Sequence, residues 1–262
     1  ANAHFQVKFP AKPDEPNIRH EDQYYFENPD IDIINYHYIS AKTNAQGLRF
    51  NRLPSDQGRA GLIWHFLRQR DLFHKPIVFD ETFSGIVRGH PERYAINRAE
   101  AWETLLSGGA GYDNLDWSFT PADETGSGMA PIGDGRRLDG RRLREWLGLL
   151  RSLLDQYDLA TLIPAVGLLS ETISGYGYAA STDSEGHYLL YFVDERLYRF
   201  EPCTLRALTV SLNLPPGRYS VRAFDPKTGT TTDVLVLQSE GAARLKTPEF
   251  IEDVAVLLDR AP

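Results

Sequence analysis

The chain has 262 residues, 42% of them hydrophobic, which is enough apolar material to bury a core in one large domain or two modest ones. A formal net charge of −8 with no Lys/Arg-rich face repels phosphate and argues against nucleic acid as a partner, and no apolar run approaches the roughly 20 residues that cross a bilayer as a helix, so no membrane partner is expected either. The single cysteine, Cys203, leaves neither an intrachain disulfide nor a cysteine-based zinc site, although a large core can do without bridges in a secreted protein.

The first residue is Ala and the only methionine is Met129, which reads as a processed, trimmed or cut start. Up to about residue 165, strand-like runs alternate with helical patterns, the signature of βα units on a parallel sheet. The strands are expected at His4 to Lys8, Ile31 to Tyr38, Pro76 to Asp80 and Tyr112 to Phe119. Helices are expected at Gln57 to Phe73, at Glu92 to Leu106 with Ile96, Trp102 and Leu106 in phase, and at Arg141 to Tyr157 with a leucine stripe through Leu143, Leu150 and Leu154. The stretch from Thr120 to Leu138, rich in Gly, Asp and Arg, reads as a long surface loop.

Beyond Pro164 the period changes from helical to alternating. Short strands are expected at Tyr176 to Ser181, His187 to Val193, Thr204 to Leu212, Arg218 to Phe224, Thr230 to Leu237 and Asp253 to Leu258. Asp183 to Gly186, Pro215 to Gly217, Asp225 to Gly229 and Glu240-Gly241 separate them, and the acidic Asp225 to Gly229 is read as a turn rather than a calcium loop. Regular short strands with turns between them argue for an antiparallel β-sandwich of roughly 90 residues. The expected division is 1–165 and 166–262.

The run Lys75-Pro-Ile-Val-Phe-Asp80-Glu81 is the most informative feature. Parallel strands buried on both faces read as continuous Ile/Val/Phe, and in a (β/α)8 barrel the C-terminal strand ends line the active-site mouth. Glu81 reads either as a carboxylate placed for chemistry or as a strand-end acid that caps the next helix. Asp80 reads as a group supporting its neighbour, a substrate contact or a cap. His37 alone reads as a satisfied core histidine or a donor at a strand end, and Trp117 as core packing or a sugar platform. Asp113 and Asn114 suit a turn or a substrate contact. The histidines show no ligand spacing, so no metal and no cofactor is expected. A complete barrel takes roughly 250 residues, and only about 160 precede the expected sandwich.

The order Asp-Ile-Ile-Asn-Tyr-His37, then Lys-Pro-Ile-Val-Phe-Asp-Glu81, then a helix, then Gly108-Gly-Ala-Gly-Tyr-Asp-Asn-Leu-Asp-Trp117 resembles strands six, seven and eight of clan A glycoside hydrolases. It is most similar to cellulase-like bacterial enzymes with a C-terminal domain described as collagen-binding, whose hairpin and aromatic-Asp-Pro-x-Thr-Gly turn look like Pro215 to Gly229 here. The resemblance implies the C-terminal half of a TIM (β/α)8 barrel, an α/β architecture, followed by an antiparallel β-sandwich, a secreted or periplasmic setting and a carbohydrate substrate. It implies Glu81 as the nucleophile of a retaining mechanism, His37 as a donor to the sugar or to Glu81, and Trp117 as the floor of the reacting subsite, with Asp80, Tyr38 and Asn114 as further substrate-binding positions. These roles are chemically sound, since a carboxylate can displace a leaving group at an oxocarbenium-like centre and an indole packs against the apolar face of a pyranose.

The departure from the family is a missing partner. Retaining hydrolysis uses a second carboxyl about 5 to 5.5 Å from the first, which the family carries in an Asn-Glu pair after strand four. No Asn-Glu dipeptide occurs in this chain, and Glu21 and Glu27 fall in a polar loop entering a strand, at the wrong end of a barrel. The expectation is therefore that the N-terminal barrel half belongs to the same protein's removed segment or to another polypeptide. The other function class left open is a non-catalytic carbohydrate-binding or interaction module with a remnant barrel.

Overall fold

A computed structural model describes residues 27–36, 43–44, 47–48, 74–82, 93–114, 121, 124–126, 140–171, 173–199 and 201–261, with side chains at 36, 43, 44, 47, 48, 81, 82, 93, 114, 140 and 199 outside that description. The expected strand at His4 to Lys8, the expected helix at Gln57 to Phe73 and most of the expected loop at 120–138 lie outside these residues.

Strands β1 (Ile34–Tyr36), β4 (Ile77–Thr82) and β5 (Gly111–Asn114) form a parallel sheet with β4 in the middle. A small antiparallel pair, β2 (Thr43–Asn44) and β3 (Gly47–Leu48), falls between the first two in sequence. Strand β4 continues past the Ile-Val-Phe run through Glu81 to Thr82, beyond the expected end at Asp80. Its beginning is tied to the entry of β1: the Ile34 amide donates to the Pro76 carbonyl at 2.9 Å, and Lys75 Nζ donates to the Asn28 carbonyl at 2.5 Å.

Helix α1 (Arg93–Leu106) connects β4 to β5, and α2 (Gly140–Leu154) comes next, ending before the expected Tyr157. The apolar stripe predicts one buried face for α1, but Ala95 through Thr104 are all buried, including Asn97, Arg98, Glu100 and Glu103. The physical reason is that α1 is covered on every side, by β5, by α2 and by later strands of the chain. Polar side chains on such a helix must be satisfied by partners across its interfaces, because stripping them of water otherwise costs several kcal/mol, roughly 2–7 per group. Helix α2 keeps its amphipathic stripe, with Leu143, Trp146, Leu150, Leu153 and Leu154 buried and Arg142 and Glu145 outside.

The remaining chain is antiparallel. Its strands are β6 (Ile163–Pro164), β7 (Tyr176–Thr182), β8 (His187–Asp194), β9 (Thr209–Leu212), β10 (Gly217–Phe224), β11 (Thr231–Ser239), β12 (Ala243–Lys246) and β13 (Asp253–Arg260). Six of them run side by side in the order β11-β10-β13-β8-β7-β6, and β9 pairs with β12 in a second, two-stranded sheet. Val210, Leu212 and Leu245 of that pair share one apolar core with Leu190, Phe192, Val221, Val256 and Leu258 of the larger sheet. The opposite face of the larger sheet, through Leu189, Tyr191, Val193, Ala255 and Leu257, packs into a second core with Trp102 of α1 and Leu150 of α2.

This two-sided burial differs from the simple alternation expected after Pro164. His187 to Asp194 and Asp253 to Leu258 carry continuous apolar runs because successive side chains point to opposite faces and both faces are covered. The strand expected from Thr204 to Leu212 is shorter than predicted: residues 204–208 stay outside the ladder, with Arg206 making only a bridge to Phe250. Strand β12 has no counterpart among the expected strands, since four residues with two apolar positions give too little periodicity to register.

The turn Asp225 to Gly229 is present and has a packing role. Asp225 Oδ1 accepts from the Lys227 amide at 2.8 Å, and its carbonyl accepts from the Gly229 amide at 2.9 Å. Gly229 sits at φ +73°, and a Cβ there would meet Leu149 Cδ2 of α2 at 2.6 Å. Trp146 Nε1 donates to the Lys227 carbonyl at 3.0 Å, so the turn is a seat for α2, and a residue larger than glycine at 229 would have to take a positive φ and displace the Leu149 side chain.

Candidate active site at three parallel strand ends

The register fixes which face each strand residue occupies. Ile34 pairs with Ile77 and Asn35 with Val78, while Phe79 pairs with Tyr112. Tyr112 reaches α1: its hydroxyl donates to Glu100 Oε2 at 3.2 Å and accepts from Asn97 Nδ2 at 3.1 Å. The Ile34, Ile77 and Phe79 positions therefore lie on the helix side, where these three residues are almost fully buried. Asn35, Val78 and Asp80 alternate onto the opposite face and are only half-buried.

On that face Asn35 Nδ2 donates to Asp80 Oδ2 at 2.7 Å, a diagonal bond that ties β1 to β4 near their C-terminal ends. Between Phe79 and Thr82 the register with β5 shifts: Phe79 faces Tyr112, and Thr82 faces Asn114. Asp80 and Glu81 thus stand opposite the single residue Asp113, which is a β-bulge at the two carboxylates. A bulge inserts one residue into the strand and carries the later residues out of the simple alternation, and such irregularities are over-represented beside active sites because they re-aim side chains.

The structure thus puts Asp80 and the backbone of Glu81 at the end of the central strand, with Asn114 ending its neighbour on one side. His37 and Tyr38 come directly after β1 in sequence, and Trp117 lies three residues beyond β5; all three lie outside the described residues. Glu81 and Asn114 are placed by backbone only. Among the described residues no cluster of His, Cys, Asp and Glu has the arrangement of a metal site.

Sequence reasoning missed Asn35, Tyr112 and Arg98. The signal for Asn35 was available, since it is a lone amide inside an otherwise apolar Ile-Ile-Asn-Tyr strand and in phase with Asp80 once the strands are paired. The signal for Arg98 was not. It lies on α1, fully buried, with Nε and one terminal nitrogen each 2.8 Å from a different oxygen of Asp253 and the same terminal nitrogen 2.9 Å from Glu252. Tyr191 donates to the same Asp253 carboxylate at 2.7 Å, and the guanidinium lies 4.3 Å from the Trp146 ring centroid. Burial works against the charge of Arg98, but Asp253 outweighs it and holds the pKa above the ordinary arginine value. Burial, with Asp253 adding to it, pushes the Tyr191 phenol well up.

No protein-family model matches the sequence, and no curated protein matches it. Solved structures do. A glycoside hydrolase superposes with a TM-score of 0.59 at 10% identity over 91% of this chain and 55% of its own. A glycoside hydrolase of family 5 from Bacteroides vulgatus ATCC 8482 superposes with a TM-score of 0.60 at 11% identity over 91% of this chain and 53% of its own. The chain has a glycoside hydrolase-like fold, and it spans about half the length of these two neighbours.

Proposed function

We propose that residues 1–165 are the later part of a (β/α)8 glycoside hydrolase barrel, that 166–262 form a β-sandwich domain, and that this chain supplies the nucleophile side of a retaining glycosidase site. Glu81 attacks the anomeric carbon and forms a glycosyl-enzyme, which water then hydrolyses. His37, Tyr38, Asp80, Asn114 and Trp117 surround the sugar, Trp117 as the apolar platform. The acid/base carboxyl comes from an N-terminal barrel half outside these 262 residues, and the substrate is an oligo- or polysaccharide of plant or microbial origin.

One observation carries this reading: β1, β4 and β5 are adjacent and parallel in that order, and the central one ends in a bulge made of Asp80 and Glu81. Three consecutive barrel strands require such an order, and catalytic groups in barrels come from several neighbouring strand ends. The half-buried face bearing Asn35, Val78 and Asp80 corresponds to the barrel interior, which the remaining strands would cover.

The stereochemistry of the first product tests this. With the completed protein acting on an aryl glycoside, proton NMR of the sugar released in the first minutes is expected to show the anomeric configuration of the substrate. A product of inverted configuration, or no hydrolysis across a panel of aryl glycosides, would overturn the reading.

A further inference from the structure

We infer that Arg98 and Tyr112 are positioning residues, and that through them the six-stranded sheet braces the sugar-facing end of β5; this rests on the proposed hydrolase reading only where it concerns substrate. The polar residues of α1 divide between two neighbours. Asn97 and Glu100 hold the Tyr112 hydroxyl of β5 at 3.1 and 3.2 Å. One residue along from Asn97, Arg98 grips Asp253 of β13 with two bonds of 2.8 Å, and Glu103 accepts from Tyr198 at 2.7 Å, while Trp102 stacks on Tyr191 of β8 with ring centroids 5.2 Å apart.

Two planar groups joined by a bidentate pair admit little rotation, so the Arg98–Asp253 link fixes both the height and the azimuth of α1 against the sheet. A backbone detail reinforces it. Glu252, whose carboxylate also meets Arg98 at 2.9 Å, sits at φ +74°, a conformation costly for a side-chain-bearing residue and held here by the Asp194 amide, which donates to the Glu252 carbonyl at 2.7 Å. With α1 fixed, the Asn97–Tyr112–Glu100 bonds transmit that placement to β5, two residues before Asn114 and five before Trp117. A carbohydrate-binding module attached by a linker would have no use for a fully buried ion pair to the neighbouring helix; a brace does.

Hydrogen–deuterium exchange of the whole protein tests this without requiring activity. Asp253→Asn keeps the shape of the side chain and removes its charge, and it is expected to speed exchange of the amides at 111–114 by about tenfold or more, while amides of the β9–β12 pair, which packs into the other core, keep their rates. Tyr112→Phe, which severs only the hydroxyl link, is expected to reproduce the effect at 111–114 and leave 253–260 unchanged. Unaltered exchange at 111–114 in both variants would overturn the inference, as would a uniform rise everywhere, which signals global destabilisation alone. In turnover, both variants are expected to raise KM severalfold more than they lower kcat; a fall in kcat alone contradicts the bracing of a sugar subsite. A wild-type protein inert toward glycosides would instead sink the hydrolase reading while the exchange result still stood.

Discussion

Replacing Glu81 with Gln is expected to lower turnover by about 10⁴-fold or more while the thermal midpoint stays within about 2 °C of the wild type. The amide keeps the size of the carboxylate but cannot form the ester to the anomeric carbon, and it carries no charge to stabilise an oxocarbenium-like transition state. Glu81 lies one residue before the end of its strand and outside the apolar run Ile77 to Phe79, so the fold is expected to survive the substitution. Steady-state kinetics with an activated aryl glycoside, beside a melting curve, read both quantities. Activity within about tenfold of wild type removes Glu81 from the mechanism; a collapse of the melting curve makes it a structural acid.

The second large effect is on stability. Arg98→Met leaves the Asp253 carboxylate buried with the Tyr191 hydroxyl as its remaining side-chain partner among the described residues, and breaking a buried pair from one side costs about 3–5 kcal/mol. The double variant Arg98→Met with Asp253→Leu is expected to recover most of that loss, since a buried pair replaced by apolar residues of similar volume is often neutral. Urea denaturation of the three proteins measures this. A loss under about 1 kcal/mol for Arg98→Met, or no recovery in the double variant, means that the ion pair does not join α1 to the sheet as the distances indicate.

The parallel sheet was legible because the physical signal was strong and local. Pro76-Ile-Val-Phe reads as a strand buried on both faces; Ile77 and Phe79, on the helix side, are buried, while Val78 on the opposite face is half-buried. The leucine stripe of α2 and the turns at Asp183 to Gly186 and Asp225 to Gly229 were equally legible, each because a single chemical feature, spacing or an Asx side chain bonding the backbone two residues on, specifies it. What escaped the sequence was everything decided by pairing. A bulge exists only relative to a partner strand, so nothing in Phe-Asp-Glu-Thr announces that Asp80 and Glu81 share one opposing residue. The polar residues of α1 looked solvent-facing, because the sequence does not say that two strands separated from it by more than 80 residues cover its far side with Tyr191 and Asp253. The same cover is the reason β8 and β13 carry continuous apolar runs rather than the alternation expected of them.

At the candidate site the residues divide in the same way. The acids are singled out by their place at the end of an apolar strand, and Asn35 by being a lone amide in one, whereas the 2.7 Å bond from Asn35 to Asp80 becomes legible only once β1 and β4 are set in register. A cross-strand bond of this kind ties the Asp80 carboxylate, one residue before the proposed nucleophile, to β1.

The assignment of the nucleophile is tested most directly by trapping it. Incubation of the completed protein with a 2-fluoro glycosyl fluoride should stop turnover in a time-dependent way and leave one covalent sugar, and proteolysis followed by mass spectrometry should place that sugar on the peptide containing Asp80-Glu81, at Glu81. A label on any other peptide, or inactivation without a covalent adduct, would contradict the account.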